Sequence, residues 1–232
     1  MTGVQTCALP IYGVARWDGS VWSSLGTGSG NGVNNHVRAL AVSGSDLYVG
    51  GFFTQAGGVP ANLVARWNGS TWSSLGTGII GNGVNFSTVY DLAVSGSDLY
   101  VGGIFTQAGG LPANNVARWN GSAWSSLGTG SGNGVNFLVF ALAISGSDLY
   151  VGGLFAQAGG LPANRVARWN GSAWSSLGTD SGNGVDNTVN ALAVSGSDLY
   201  VGGSFRTAGG QVSSSIAKWT PDDLFRNGFE GN

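Results

Sequence analysis

This 232-residue chain predicts an all-β fold, a β-propeller of about four to five four-stranded antiparallel blades. Three observations predict it: a long-period internal repeat, four β-rich runs in each repeat, and turn residues between the runs. The phrases LYVGG and VARWNGSxWSSLG recur with little drift, and copies counted from Trp17, Trp67, Trp119, Trp169 and Trp219 are spaced 50, 52, 50 and 50 residues apart. Units of this period cannot bury their apolar faces alone and stack on their neighbours, as in propellers and solenoids. One domain, residues 12–220, is therefore expected.

Each unit reads as a meander of short runs rich in β-branched and aromatic residues. In the second complete copy the expected strands are a (89–94), b (99–101), c (116–119) and d (124–127). Within strand a, Leu40, Leu92, Leu142 and Leu192 take one face and Ala41, Ala93, Ala143 and Ala193 the other, which period-two geometry requires of a strand buried on both sides. Eight of nine tryptophans occupy two fixed slots per repeat, so packing between blades accounts for them. Arg16, Arg66, Arg118, Arg168 and Lys218 share one slot on strand c, expected on a solvated or paired face.

Strands c and d are joined by Asn68-Gly69-Ser70 and its copies, read as a tight Asn-Gly hairpin in which both residues tolerate positive φ. The first copy has Asp18-Gly19-Ser20, which keeps the turn chemistry and abolishes the glycosylation sequon, so the structural reading is preferred. Strands a and b are joined by Ser-Gly-Ser-Asp, with Asp46, Asp98, Asp148 and Asp198 read as turn formers; one carboxylate per turn is far below what calcium needs. The b-to-c and d-to-a connections are long and Gly-rich and emerge on one side, where a rigid scaffold carries its binding loops.

Composition excludes several classes. A net charge of -2 with arginines spread one per repeat provides no basic field for nucleic acid. The longest apolar run, residues 137–144, is too short to span a bilayer as a helix, which takes about 20 residues. Residues 1–11 match no part of the repeat and read as the translation of a short-read sequencing adapter, so they are expected to be non-native and Cys7 to carry no function. The strand order then begins with a c–d pair. Either the chain closes by pairing its ends or further copies lie upstream, and the adapter-like segment favours a larger propeller. Residues 221–232 are expected to be a tail that replaces strand d, because Pro221 lacks a donor.

The Gly-Gly doublets at Gly50, Gly102, Gly152 and Gly202, followed by an aromatic residue and a Trp some twenty residues on (Trp72, Trp124, Trp174), resemble the kelch-type β-propellers, including the propeller domain of galactose oxidase. The resemblance covers residues 14–219. A more particular likeness is to arrays of VARWNGSxWSSLG units in exported bacterial proteins, and DLFRNGFE resembles a short C-terminal tail on such proteins; both imply an extracellular or cell-surface location. The second doublets, at Gly57, Gly109, Gly159 and Gly209, depart from the kelch pattern. The copper chemistry of galactose oxidase needs several His and Tyr ligands and a Tyr–Cys crosslink, which one His and no native Cys do not supply, so no cofactor or metal is expected.

Candidate functional residues are those where copies disagree while their neighbours agree. Arg38, Tyr90, Phe140 and Asn190 share a slot in strand a, and Asp91 breaks the pattern beside it. The adjoining d-to-a loop contributes Asn35, His36, Phe86, Phe137 and Asn187. These residues are expected to form the mouth of a site for a protein or glycan ligand on a non-enzymatic scaffold. The alternative is a carbohydrate-active enzyme using loop-face carboxylates, with Asp91, Asp180 and Asp186 as candidates, since such chemistry needs two carboxyls about 5–10 Å apart.

Overall fold

The computed structural model describes residues 13–27, 30–81, 87–178, 182–221 and 223–227. Four antiparallel sheets of four strands form, each in the sequential order a-b-c-d. Blade 1 contains His36–Ser43, Asp46–Phe52, Val64–Trp67 and Trp72–Ser74. Blade 2 contains Thr88–Ser95, Asp98–Ile104, Val116–Trp119 and Trp124–Ser126. Blade 3 contains Val139–Ser145, Asp148–Gly153, Val166–Trp169 and Trp174–Ser176. Blade 4 contains Val189–Ser195, Asp198–Gly203, Ile216–Thr220 and Asp223–Asn227. Ahead of them Ala15–Trp17 pairs with Trp22–Ser24. Each strand a packs against strand a of the next blade, the arrangement of a β-propeller.

The interface between blades is one motif used three times. Leu92 of blade 2 packs with Ala39 and Ala41 of blade 1, Leu142 with Ala93, and Leu192 with Ala143. Large side chains on one face enter the hollows left by small ones on the other, and burying a leucine this way contributes roughly 1.5–3 kcal/mol. The indole N–H of Trp72, Trp124 and Trp174 donates to the carbonyl of Leu25, Leu75 and Leu127 in the preceding unit, each at 2.7 Å. The expected burial of strand a on both sides holds only inside the stack. Leu40 at its start is 54% exposed, whereas Leu92 and Leu142 are 7% exposed. Ala191 and Ala193 at its end are likewise open to solvent.

The first Gly-Gly doublet has two separate causes. Strand a carries a β-bulge at Arg38, Tyr90, Phe140 and Asn190, where pairing skips a residue: Val89 faces Gly103 and Asp91 faces Gly102. A Cβ on Gly51, Gly103, Gly153 or Gly203 would run into the carbonyl oxygen of His36, Thr88, Leu138 or Thr188, at or just before the start of that strand. A Cβ on Gly50, Gly102 or Gly152 would instead meet a valine Cγ1 of the next blade at 2.5 Å. Two adjacent glycines thus admit the bulge on one side and the neighbouring blade on the other.

Several local expectations are corrected. The b-to-c connection is not irregular: Gln55–Ala56 and Val59–Pro60 form a small hairpin, repeated in every blade, and the second doublet is its turn, with Gly57 and Gly58 at φ 61 and 77. That hairpin is tied to the preceding d-to-a loop by bridges such as Val33 to Ala56. In the c–d turn only the glycine takes positive φ, and Asn68 caps the turn, its Oδ1 accepting from the N–H of Ser70 and Thr71 at 3.0 and 2.8 Å. Asp18 does the same with Ser20 and Val21, which is why Asn and Asp exchange there; these bonds hold its carboxyl below the usual range.

Asp46, Asp98, Asp148 and Asp198 open strand b and pair with Arg66, Arg118, Arg168 and Lys218 at 2.8, 3.6, 2.9 and 3.3 Å. In the four full blades the cation of strand c stands opposite a tyrosine of strand b, as Arg66 opposite Tyr48, and reaches diagonally to the Asp two residues before that tyrosine. His36 begins strand a rather than lying in the loop. Finally, Asp223–Asn227 supplies the fourth strand of blade 4, because Pro221 falls in the turn where no ladder donor is needed.

Candidate functional site at the bulged inner strands

The variable slot is the bulge itself. Arg38, Tyr90, Phe140 and Asn190 are the residues without a partner across the a–b ladder, so their identity is released from cross-strand packing while their position is fixed by the doublet opposite. Tyr90 and Phe140 are half-buried and meet edge to face with ring centroids 5.2 Å apart, whereas Arg38 and Asn190 are exposed. Consecutive blades therefore bring their bulge side chains to one surface.

The loop residues divide into two kinds. Asn34, Asn136 and Asp186 each accept two backbone N–H bonds from the b-to-c hairpin; for Asp186 these come from Arg206 at 2.8 Å and Thr207 at 3.0 Å. These bonds hold the Asp186 carboxyl below its ordinary range, and folding alone accounts for it. The next position is free of that duty. Asn35, Phe137 and Asn187 are exposed, Phe137 at 46%, and the two asparagines accept from the residue that follows: Asn35 from the N–H of His36, and Asn187 from the N–H and the hydroxyl of Thr188. His36 is exposed as well. Phe86 and Asp180 lie outside the described residues.

Asp91 is placed differently from a residue waiting for a ligand. One carboxylate oxygen accepts from the N–H of Leu92 at 2.8 Å, and the other accepts from the N–H of Leu142 in the next blade at 2.7 Å. It clips the inner strands of blades 2 and 3 together. Burial raises its pKa, and the two backbone bonds offset this only in part. A carboxyl whose folded value lies above its ordinary 3.8 binds protons more readily folded than unfolded, so its contribution is fully present below that pH and is lost as pH rises through the folded value. The stability of the natural chain relative to Asp91→Asn is therefore expected to decline across that window. Urea unfolding of both proteins at a series of pH values measures it; a gap that stays flat or widens with pH contradicts this account.

Among the described residues no group of three His, Cys, Asp or Glu side chains is placed to hold a metal ion. No helix among them is long and apolar enough to cross a membrane. What the arrangement offers is an aromatic pair, with an exposed guanidinium and an exposed amide in the same slot of the two flanking blades.

No family model matches the chain, and no curated protein matches its sequence. Among solved structures the chain is similar to the computationally designed Ika4 protein, with a TM-score of 0.49 and 15% identity, covering 85% of this chain and 98% of that one. It is also similar to YCF48 bound to D1 peptide, with a TM-score of 0.43 and 14% identity over 83% of this chain and 52% of that one. A third is the computationally designed Ika8 protein, with a TM-score of 0.40 and 12% identity over 82% of this chain and 70% of that one.

Proposed function

We propose that the chain is an exported, kelch-type propeller that acts without catalysis as a binding or display scaffold for a glycan or protein ligand, held at the bulged ends of the inner strands. The observation that carries this reading is the bulge slot. An invariant Gly-Gly doublet fixes the backbone there, and the residue it presents changes from Arg38 to Tyr90 to Phe140 to Asn190. A rigid frame with replaceable side chains suits recognition, since loops and bulges on a fixed scaffold set what is bound while the scaffold limits the entropy lost. Tyr90 and Phe140 supply an apolar platform suited to stacking on a sugar ring or a side chain, and Arg38 and Asn190 supply hydrogen bonds from the flanking blades.

A glycan array and a pull-down, each run with the natural chain and with Tyr90→Ala/Phe140→Ala, test this. The double variant is expected to lose about tenfold or more in affinity for whatever the natural chain retains, with its β circular dichroism unchanged. Binding that survives the double substitution, or glycan turnover abolished by Asp91→Asn, overturns the reading.

A further inference from the structure

Each blade holds a second position that varies while its neighbours do not. Leu63, Asn115, Arg165 and Ser215 directly precede strand c, and all four take the left-handed backbone, with φ of 62, 63, 64 and 67. Their carbonyls accept from the N–H of Gly51, Gly103, Gly153 and Gly203, the glycines that pair with strand a just before its bulge, so the position lies at the bulge end of the blade. That backbone is unfavourable for side chains other than asparagine and aspartate. Folding accounts for two of these residues. Leu63 is 7% exposed and joins the core between blades 1 and 2, and Asn115 accepts from the N–H of Phe105 while donating to the carbonyl of Val135. Arg165 does neither. It is half-buried, its Nε is buried with no hydrogen-bond partner, and no carboxylate among the described residues lies within ion-pair distance of it. Strain held without a folding role is a mark of function.

Arg165 has a companion on the next blade. Ahead of the b-to-c hairpin the copies carry Thr54, Thr106 and Ala156, and blade 4 carries the exposed Arg206. The two arginines flank one stretch of the d-to-a loop: the carbonyl of Asn164 accepts from the N–H of Val185, and the N–H of Arg206 donates to Asp186. The corresponding pairs are Leu63 with Thr106 between blades 1 and 2, and Asn115 with Ala156 between blades 2 and 3. Only between blades 3 and 4 are both positions cationic. Asp186 lies between them, but its Oδ1 accepts from the N–H of Arg206 and Thr207, and it forms an ion pair with neither guanidinium. Two positive charges thus stand against one negative, on a chain whose net charge is -2.

We propose, resting on the glycan reading above, that this interface is an anion subsite in which Arg165 and Arg206 receive the carboxylate or sulfate group of an acidic oligosaccharide. A guanidinium presents a planar fork of donors that matches such oxyanions, and two of them outweigh the single Asp186 charge. The surroundings favour a sugar over an acidic peptide. Asn187 and Asn190 expose amides on blade 4, and the Tyr90–Phe140 pair stands on the bulged strands of blades 2 and 3.

Calorimetric titration of the full chain with trigalacturonate, sulfated maltotriose, plain maltotriose and triglutamate tests this. At least one of the two acidic sugars is expected to bind about tenfold or more tighter than maltotriose and triglutamate, with an affinity that falls as salt is added. Arg165→Asn and Arg206→Ala are each expected to weaken that binding about tenfold or more. Both replacements are residues the repeat itself carries one blade earlier, at Asn115 and Ala156, so the fold accepts them. Arg165→Asn should also keep or raise the Tm, because asparagine tolerates the left-handed backbone. Arg168→Gln, which removes the partner of Asp148, should leave binding unchanged. Equal binding of acidic and neutral sugars, or acidic-sugar binding that survives both substitutions, overturns the anion subsite and leaves the scaffold reading standing. Tighter binding of triglutamate overturns it as well, giving the arginines to a protein. Failure of every probe at about 1 mM also overturns it, and an empty glycan array beside that failure removes the glycan reading too.

Discussion

Gly152→Ala is expected to destabilise the chain by about 1–3 kcal/mol, while Gly202→Ala, at the same slot one repeat later, is expected to be neutral or to stabilise it by about 0.4–1 kcal/mol. The two glycines sit in identical VGG phrases, and neither has a positive φ that would penalise a side chain. Their surroundings differ. A Cβ on Gly152 would lie 2.5 Å from Val189 Cγ1 and 3.2 Å from Leu192 of the next blade, so the blades must part to admit it. A Cβ on Gly202 would meet only Ala191, at 3.8 Å, which is ordinary contact. There the remaining effect is the lower conformational entropy that alanine gives the unfolded chain. Urea unfolding of the two variants beside the natural chain measures the contrast. Equal destabilisation at both positions would show that the glycine serves its own strand and not the blade interface.

Phe155→Ala is expected to cost about 3–5 kcal/mol, a large part of the stability of a domain this size. Phe155 is 1% exposed and belongs to a cluster that joins Tyr100 and Val116 of blade 2 to Leu142, Val151 and Trp174 of blade 3. Its carbonyl accepts from Arg165, as that of Phe105 accepts from Asn115, so the ring stands at the root of the b-to-c hairpin. Removing it leaves a cavity under that hairpin as well as between blades. Because stability in a repeat array is the sum of unit and interface terms, loss of one interface is also expected to broaden the urea transition. A single sharp transition shifted by less than about 1 kcal/mol would refute the role assigned to this ring.

Much of the architecture was legible because it recurs. Strand c of the second copy, residues 116–119, was read to its bounds, and the Leu and Ala faces of strand a were assigned correctly, since period-two alternation is a local property of the chain. The turns were legible in kind and less so in mechanism. Asn68 and Asp18 both mark a turn, but their capping bonds through Oδ1 depend on how the four-residue loop folds back. The hairpin at Gln55–Ala56 and Val59–Pro60 was obscured because two-residue strands carry no detectable period. Its doublet at Gly57 and Gly58 was the available signal. Pro221 was read as ending the array, and it marks a turn before Asp223–Asn227 instead, since pairing with Ile216–Thr220 is a long-range choice that composition does not reveal.

The candidate site shows the same division. Comparison of copies found the slot shared by Arg38, Tyr90, Phe140 and Asn190, because variation among invariant neighbours is visible in a string of letters. That this slot is a bulge, with the first doublet of each repeat opposite it, required the register of the a–b ladder. Asp91 stood out as a departure from alanine, yet only the neighbouring blade shows that its second oxygen is taken by the Leu142 N–H.

By itself, then, the sequence determined the repeat, the strands, the turn positions and the alternation of large and small faces, all of which depend on residues near one another in the chain. Tertiary structure decided which faces are covered. Leu40 and Leu92 are the same residue in the same phrase, one exposed and the other buried, because burial belongs to the neighbour that packs against a side chain and not to the side chain itself.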